Sequence, residues 1–159
     1  MAYDLGSGPA ALIGLPNQLS QTNAKRPMSR TEDNKRLVRE AFRPWEHGDS
    51  KPFFDLIAGD VVWTVIGTTR VSGVYHSKQD LIDRAFGPLL ERLEGRLSTT
   101  FVDLAGEGDK LFLRFNSAGV SKTGVSYDQT YCWAMIMRDN RIVDIVAYLD
   151  TDLLRRIFD

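Results

Sequence analysis

The clearest pattern in the chain is a strict alternation of side chains from Val125 to Met137, followed by a polar turn and a second β-rich run to Asp150. Two such runs around a short polar turn are typical of a β-hairpin. Alternation sorts the side chains of the first run onto two faces of a strand. We expect one face to form much of the wall of a pocket for an apolar molecule, because it combines large rings with a few polar tips. Its members are Tyr127, Gln129, Tyr131, Trp133, Met135 and Met137.

Helical spacing of apolar residues predicts four helices in the remainder of the chain. The first runs from a cap at Thr31 or Asp33 to about residue 45. Pro44 bends or ends it, because proline has no N–H to donate within a helix. The other predicted helices are a short one over residues 52–57, one from a capping box at Ser77 to about residue 93 with a kink at Gly87 and Pro88, and a closing one over residues 151–158 capped by Asp150.

Strand patterns fill the gaps between these helices, first as a short pair and then as a meander. The predicted strands cover residues 61–66, 74–76, 96–105 and 110–119, ahead of the hairpin described above. Runs of helix followed by runs of strand indicate an α+β domain. We expect a cone-shaped, curved sheet of mixed or antiparallel strands, with the N-terminal helices packed over its concave face as an α+β barrel. The space between the helices and the sheet is then the natural pocket.

The length of 159 residues fits one domain of ordinary size. Residues 1–30 differ from the rest, since they are rich in Gly, Pro, Ser, Asn and Gln. We interpret residues 1–30 as an N-terminal extension that wraps the domain or a partner subunit, or stays partly flexible. Residues 31–159 form the domain itself.

Composition excludes several classes of function. The net charge of −1 provides no basic field for nucleic acid or for an anionic membrane. No apolar run approaches the roughly 20 residues that span a bilayer. A single cysteine, Cys132, and two distant histidines, His47 and His76, give no metal-ligand spacing. No glycine-rich phosphate loop follows a strand. We therefore expect a cytoplasmic protein without metal or cofactor, and with neither nucleic acid nor membrane as a partner.

Candidate catalytic groups lie mainly on the predicted strands. Arg114 and Asn116 share one strand face; if that face is inward, Arg114 is a buried cation that needs an anionic partner and can stabilise an oxyanion. The alternative is an arginine at a subunit interface. Tyr127 and Tyr131 can serve as acids, bases or hydrogen-bond donors, or can be half-buried aromatics of the sheet.

Two further groups are candidates for a catalytic base. His76 precedes a helix cap at the rim of the predicted cone, and histidine often serves as a general acid or base. The alternative is a surface histidine. Asp103 lies inside a strand, where aspartate is unfavourable, so it is either a carboxylate in the pocket or a residue of the solvent face.

The predicted substrate-binding residues are mostly aromatic and aliphatic. Three tryptophans that converge on one cavity favour a flat, aromatic or polycyclic ligand. The predicted set is Trp45, Trp63, Val65, Phe86, Gln129, Trp133, Ala147 and Leu149.

Several short motifs, in order along the chain, resemble the SnoaL-like domains of the nuclear-transport-factor-2-like superfamily. This superfamily includes ketosteroid isomerase, limonene epoxide hydrolase, scytalone dehydratase and polyketide cyclases. The resemblance covers about residues 33–159 and implies a cone fold and a homodimer formed through the outer sheet face. The motifs include Asn34-Lys35-Arg36-Leu37-Val38, Asp60-Val61-Val62-Trp63, Gly73-Val74-Tyr75-His76, Ala105-Gly106-Glu107-Gly108-Asp109, Tyr127-Asp128-Gln129-Thr130-Tyr131 and Ala147-Tyr148-Leu149-Asp150-Thr151.

The sequence departs from these relatives at their catalytic positions. The base of ketosteroid isomerase falls at Val65, and its oxyanion-hole residues fall at Ala41 and Trp133. Arg114 with Asn116 resembles the Arg-x-Asp part of limonene epoxide hydrolase, although asparagine cannot take a proton. Neither mechanism is therefore expected to carry over unchanged.

Two functions remain open from the sequence. One is a cofactor-independent acid/base enzyme, of the isomerase, cyclase, dehydratase or lyase type, acting on a hydrophobic aromatic or polycyclic molecule. The other is a non-catalytic module of the same fold that binds a small ligand or forms dimers. Convergence of the catalytic candidates on one enclosed point favours the enzyme, and scatter over the outer faces favours the binding module.

Overall fold

The structure, a computed structural model, describes residues 28–159. The predicted N-terminal extension, residues 1–30, lies almost entirely outside the described residues. The helices are α1 (Arg30–Phe42), α2 (Lys51–Leu56), α3 (Lys78–Leu81), α4 (Gly87–Arg92) and α5 (Thr151–Phe158). The strands are β1 (Ile57–Val65), β2 (Gly73–Tyr75), β3 (Ser98–Glu107), β4 (Lys110–Ala118), β5 (Gln129–Arg138) and β6 (Arg141–Leu149). No helix between residues 28 and 159 combines the length and apolar character needed to cross a bilayer.

The strands of the described region form one mixed sheet in the order β2-β1-β6-β5-β4-β3. β1 runs parallel to β6, and every other neighbouring pair is antiparallel. The predicted α+β class, the meander of four long strands and the helices packed against the sheet are confirmed. The sheet is not closed into a barrel, because β2 and β3 remain as its two edges.

The first helix begins and ends close to the predicted positions. Its cap is Ser29, whose hydroxyl accepts a hydrogen bond from the Glu32 N–H, so the prediction of Thr31 or Asp33 was wrong by a few residues. The helix continues as a 3-10 turn over Arg43–His47, where Pro44 provides no N–H for an α-helical bond. Gly48 then ends the turn with a φ of 90°.

The predicted kink at Gly87 and Pro88 takes the form of a π-helical turn over Ile82–Phe86, between α3 and α4. Pro88 cannot donate within the helix, and its ring crowds the carbonyl four residues earlier. The helical turn is wider at this point, and the Gly87 N–H donates to the Ile82 carbonyl. A Cβ at Gly87 would lie 2.8 Å from that carbonyl oxygen, so glycine permits the wide turn.

Two strand boundaries differ from the prediction. β1 begins at Ile57 and not at residue 61, because Gly59 and Asp60 are absorbed in a register shift of the strand. β5 begins at Gln129, so Tyr127 precedes the strand and is held there by a bond from its N–H to the Gly119 carbonyl. The predicted turn of the hairpin is confirmed by positive φ angles of 50° and 59° at Asp139 and Asn140.

Candidate functional site

A cavity of about 70 Å³ lies between the sheet and the helices. Its walls are almost entirely apolar, and none of the side chains from residues 28–159 that line it carries a charge. Phe54, Phe86, Leu97 and Leu149 are only partly buried, so these side chains mark the mouth of the cavity. Such an apolar concavity with a few polar atoms is the usual form of a small-molecule site.

All three tryptophans of the chain line this cavity. Trp45 comes from the 3-10 turn, Trp63 from β1 and Trp133 from β5. The rings of Trp63 and Trp133 meet edge to face at a centroid distance of 4.8 Å, and Trp45 lies 6.0 Å from Trp133. The edge-to-face contact of Trp63 with Trp133 is a geometry that aromatic pairs favour over face-to-face stacking.

Strand register explains why the other predicted binding residues meet at the same wall. Trp133 on β5 pairs with Ala147 on β6, and Ala147 pairs with Val65 on β1. Side chains that are directly opposite on neighbouring strands share a face. The small Ala147 thus leaves room between two larger neighbours. Phe86 reaches the cavity from the π-helical turn, and Leu149 from the end of β6.

Gln129 is the predicted binding residue that does not line the cavity. It is buried, but its carboxamide is engaged with the backbone at the start of α5. Its Oε1 accepts from the N–H groups of Asp150 at 2.8 Å and Thr130 at 3.1 Å, and its Nε2 donates to the Asp150 carbonyl at 2.9 Å. Asp150 in turn caps α5, as predicted. Gln129 thus joins β5 to the start of the helix, and the structure does not place it at the cavity wall.

Two tyrosines supply the hydroxyl groups at the cavity. Tyr127 is 0% exposed and Tyr131 is 9% exposed, and their hydroxyl oxygens lie 2.7 Å apart. Burial raises the pKa of both phenols, since a buried phenolate loses its hydration. For Tyr127, hydrogen bonding by Tyr131 and Gln129 opposes part of this rise. Both hydroxyls are therefore protonated at neutral pH and act as donors, not as bases.

Trp133 provides a further donor in the wall. Within the described residues, its Nε1 is a buried side-chain nitrogen without a hydrogen-bond partner. The indole packs edge to face on Phe115 at 4.7 Å as well as on Trp63. Ser117 is also buried at the cavity, where its hydroxyl lies 3.2 Å from that of Thr99.

The remaining catalytic candidates do not meet at this cavity. Arg114 and Asn116 lie exposed on the outer face of the sheet, where Asn116 accepts a bond from Thr130. Of the two alternatives for Arg114, the structure therefore excludes the buried, inward one. β4 alternates between buried and exposed positions, and burial of Leu111, Leu113 and Phe115 forces their neighbours outward.

His76 and Asp103 are likewise exposed, so neither is a base inside the cavity. His76 directly precedes Ser77, whose hydroxyl caps α3 at the surface by accepting from the Asp80 N–H. Asp103 lies beside a register shift of β3, and its carboxylate accepts from the N–H of Leu104. His76 is therefore a surface histidine and Asp103 a residue of the solvent face, which were the alternatives to a catalytic role. Among residues 28–159, no three metal-ligating side chains cluster.

Several residues of the site escaped the sequence reasoning. Phe115 lies between Arg114 and Asn116, and its ring stacks on that of Tyr131 at a centroid distance of 4.8 Å. The two polar neighbours were predicted as site residues, and Phe115 was not. The alternation of Leu111, Leu113 and Phe115 was the available signal. Phe54 on α2 and Val71 in the loop before β2 also line the cavity, and only the tertiary packing identifies them.

Residues 38–145 match the family model described as the SnoaL-like domain. Solved structures of similar fold include a nuclear-transport-factor-2-like protein from Burkholderia thailandensis, with a TM-score of 0.67 and 20% identity, covering 79% of this chain and 97% of that chain. A candidate isomerase from Bacillus subtilis has a TM-score of 0.65 and 20% identity, covering 82% and 96%. TerC, co-crystallised with polyporic acid, has a TM-score of 0.64 and 14% identity, covering 82% and 100%. Among curated proteins, none matches the sequence.

Proposed function

The chain belongs to the SnoaL-like domain family, and we propose that its pocket binds an apolar small molecule that is aromatic or polycyclic. The observation that carries this proposal is the wall of the cavity, built from three tryptophans with neighbouring phenylalanine and tyrosine rings and no charged side chain. Burial of an apolar ligand against such a wall is favourable by roughly 25 cal/mol per Å² of apolar surface. A charged ligand finds no partner there, and its desolvation is left uncompensated.

The size of the cavity adds a requirement. Its 70 Å³ is about half of the roughly 150 Å³ of an engineered protein cavity that holds benzene. A ligand with one or more rings therefore needs the wall to move. The segment from α3 through the π-helical turn to α4 is the part best placed to do so, since Leu81, Ala85, Phe86 and Leu89 all close the cavity from there. π-Helical turns are frequent at functional sites.

Intrinsic fluorescence offers a direct test, because every tryptophan of the protein lines the cavity. We expect phenolic, terpenoid, steroid or polyketide compounds to change the tryptophan emission in a saturable way. Ala147→Leu fills the middle of the wall and should weaken this binding by at least tenfold. Ala134→Leu adds the same atoms to the outer face of β5 and serves as the matched control. Equal binding by both variants would place the ligand elsewhere and contradict the proposal.

A second candidate function is cofactor-independent acid catalysis in the same pocket, and the paired hydroxyls of Tyr127 and Tyr131 are the observation that favours it. A protonated phenol can donate to a carbonyl oxygen as charge develops there. His76 and Asp103 are exposed, and no other carboxylate or imidazole of residues 28–159 lines the pocket. The proposed chemistry is therefore isomerisation, cyclisation, dehydration or a lyase step driven by proton donation. The candidate isomerase among the solved structures of this fold supports this reaction class.

Turnover separates the two candidates. Compounds identified by fluorescence would be incubated with the protein and analysed by mass spectrometry and by deuterium uptake from heavy water. Catalysis predicts a changed product or exchanged protons with the unsubstituted protein, and a loss of turnover with retained binding in Tyr131→Phe. Recovery of every bound compound unchanged and without exchange would rule out the enzyme and leave the binding function.

We also propose that the protein forms a homodimer through the outer face of the sheet. Val102, Phe112 and Tyr148 are 41%, 40% and 47% exposed on β3, β4 and β6, close to Arg114. Large exposed apolar side chains on one face favour association. Sedimentation should give a dimer for the unsubstituted protein and a monomer for Phe112→Asp, while Leu90→Asp on α4 remains a dimer. A monomeric unsubstituted protein at micromolar concentration would contradict this proposal.

A further inference from the structure

One stretch of the pocket wall, residues 79–91, is held in place mainly by apolar packing, and we call it the gate segment. The residues of the gate segment that line the cavity are Leu81, Ala85, Phe86 and Leu89. Among residues 28–159, no hydrogen bond joins the gate segment to a residue outside 77–93. The exposed guanidinium of Arg84 lies over the Tyr75 ring at 5.2 Å. A segment with so few polar attachments opens at a low free-energy cost, because little has to be broken.

Both ends of the gate segment are tied to the rest of the domain by hydrogen bonds. After it, the Arg92 carbonyl accepts from the Lys122 N–H at 2.8 Å. Before it, the Nζ of Lys78 donates to the carbonyls of Phe54 at 2.8 Å and Ile57 at 3.2 Å. The first attachment joins backbone to backbone, whereas the second depends on a single side chain. Lys78 is therefore the attachment that a substitution can remove.

The bonds of Lys78 lie next to the mouth of the cavity. Phe54 is near the end of α2, and its ring contacts the ring of Phe86 in the gate segment at a centroid distance of 5.3 Å. Both rings line the cavity and both are partly buried. Lys78 thus binds the same residue against which the gate segment closes. Hydrogen bonds from a charged donor are stronger than neutral ones, and a lysine is favourable at the last carbonyls of a helix.

We propose that Lys78 acts as a latch, which holds the gate segment against α2 and sets how often the mouth of the pocket opens. Its bonds exist only while α3 lies against the end of α2, so they are lost when the gate segment moves away from Phe54. The π-helical turn over Ile82–Phe86 gives the segment a place to bend, because helices kink where such a turn interrupts them. This inference rests on the proposed binding function and concerns entry into that pocket.

Hydrogen exchange tests the latch without any ligand. Lys78→Met removes the ammonium and keeps an unbranched side chain. Measured by mass spectrometry on the full chain, exchange of the amides in the gate segment should be about tenfold faster in this variant, with β4 and β5 unchanged. Lys51→Met makes the same change at an exposed lysine of α2 that pairs with Asp55, and should leave the gate segment as it is. Equal exchange in the variant and the unsubstituted protein, or faster exchange throughout the chain, overturns the inference.

Acrylamide quenching measures access to the cavity itself, because all three tryptophans of the chain line it. This small neutral quencher should reach them more readily in Lys78→Met than in the unsubstituted protein or in Lys51→Met. Lys78→Gln keeps a donor without the charge and should give intermediate quenching and exchange. It also decides the question if Lys78→Met does not fold. Unchanged quenching in every folded Lys78 variant overturns the inference.

Binding kinetics separate the latch from the binding function. N-phenyl-1-naphthylamine, an uncharged fused-ring fluorophore, would be mixed with each protein in a stopped-flow instrument. Loss of the latch should raise the association and dissociation rate constants alike, by about three- to tenfold, and leave Kd nearly unchanged. Saturable binding with an unchanged association rate constant in Lys78→Met overturns the inference and leaves the binding function intact. Faster exchange and quenching, without binding of this probe or of any compound in the fluorescence screen, would support the latch and refute the binding function.

Discussion

Replacement of the paired tyrosines tests whether the buried hydroxyls depend on each other. Tyr127→Phe and Tyr131→Phe each remove one oxygen and keep the ring. In the structure the two hydroxyls are joined at 2.7 Å and are shielded from solvent. Each single replacement therefore leaves the other hydroxyl buried with its main partner gone. The double replacement removes both hydroxyls, so the two rings meet in an apolar contact and neither hydroxyl is left without its partner.

The magnitude follows from this difference. A single replacement should lower the free energy of unfolding by about 1–3 kcal/mol, the cost of a buried polar group left unpaired. The double replacement should cost only the net value of the bond, about 1 kcal/mol. The two singles are then non-additive by about 1–3 kcal/mol, within the range seen for residues in contact. In thermal unfolding, each kcal/mol corresponds to about 2–4 °C in Tm for a chain of this size.

Urea unfolding followed by circular dichroism measures all three variants under one set of conditions. Thr68→Val, which removes an exposed hydroxyl in the loop before β2, is the control and should change stability by less than about 0.5 kcal/mol. If the single effects add up to that of the double variant within 0.5 kcal/mol, the hydroxyls do not depend on each other.

Three further predictions concern stability. Because burial raises the pKa of both paired tyrosines, the folded protein holds their protons more tightly than the unfolded chain. Stability is therefore unaffected below about pH 10 and falls above it, by up to about 1.4 kcal/mol per pH unit for each tyrosine. In urea titrations between about pH 9 and 11, the double phenylalanine variant should show a shallower slope, and the remaining slope includes Tyr75, whose pKa burial also raises. Gly106→Ala places a Cβ 2.4 Å from the Lys110 carbonyl oxygen and should cost about 1–3 kcal/mol, whereas Gly59→Ala, with no atom within 4 Å, should be nearly neutral; equal melting temperatures would contradict this. Gln129→Leu removes two hydrogen bonds to the backbone of Asp150 at the start of α5 and one to the N–H of Thr130 on β5. It should lower the free energy of unfolding by about 2 kcal/mol, with early loss of amide protection in α5, and an unchanged melting curve would contradict this.

Local signals in the sequence were sufficient for the elements and the fold class. Apolar periodicity located the helices, and alternation located the long strands. The hairpin turn and the caps at Ser77 and Asp150 depend on residues that are adjacent in the chain. Such features are set by short-range sterics and hydrogen bonds, so they can be inferred from composition and spacing. The ends of the elements were predicted less accurately. β1, for example, begins at Ile57 and not at residue 61, because its register shift depends on the neighbouring strand.

The wall of the pocket was also largely predictable. Trp133, Ala147 and Val65 were expected from resemblance and alternation, and the register places them in one row across three strands. Which polar side chains lie in the pocket could not be predicted from the sequence. Arg114 and Asn116 share a face with each other, as alternation requires, but alternation does not say which face is inward. That choice depends on which set of side chains the helices cover, and β4 buries the face of Leu111, Leu113 and Phe115.

The sequence by itself determined a SnoaL-like α+β cone with an aromatic wall, because periodicity, turns and motifs depend only on the order of residues along the chain. The tertiary structure alone decided which polar groups share the pocket. It paired the hydroxyls of Tyr127 and Tyr131, gave the Nε1 of Trp133 no hydrogen-bond partner among residues 28–159, and placed His76 and Asp103 outside the pocket. Hydrogen-bond balance depends on distances between residues far apart in sequence, and those distances exist only after the sheet and helices have packed.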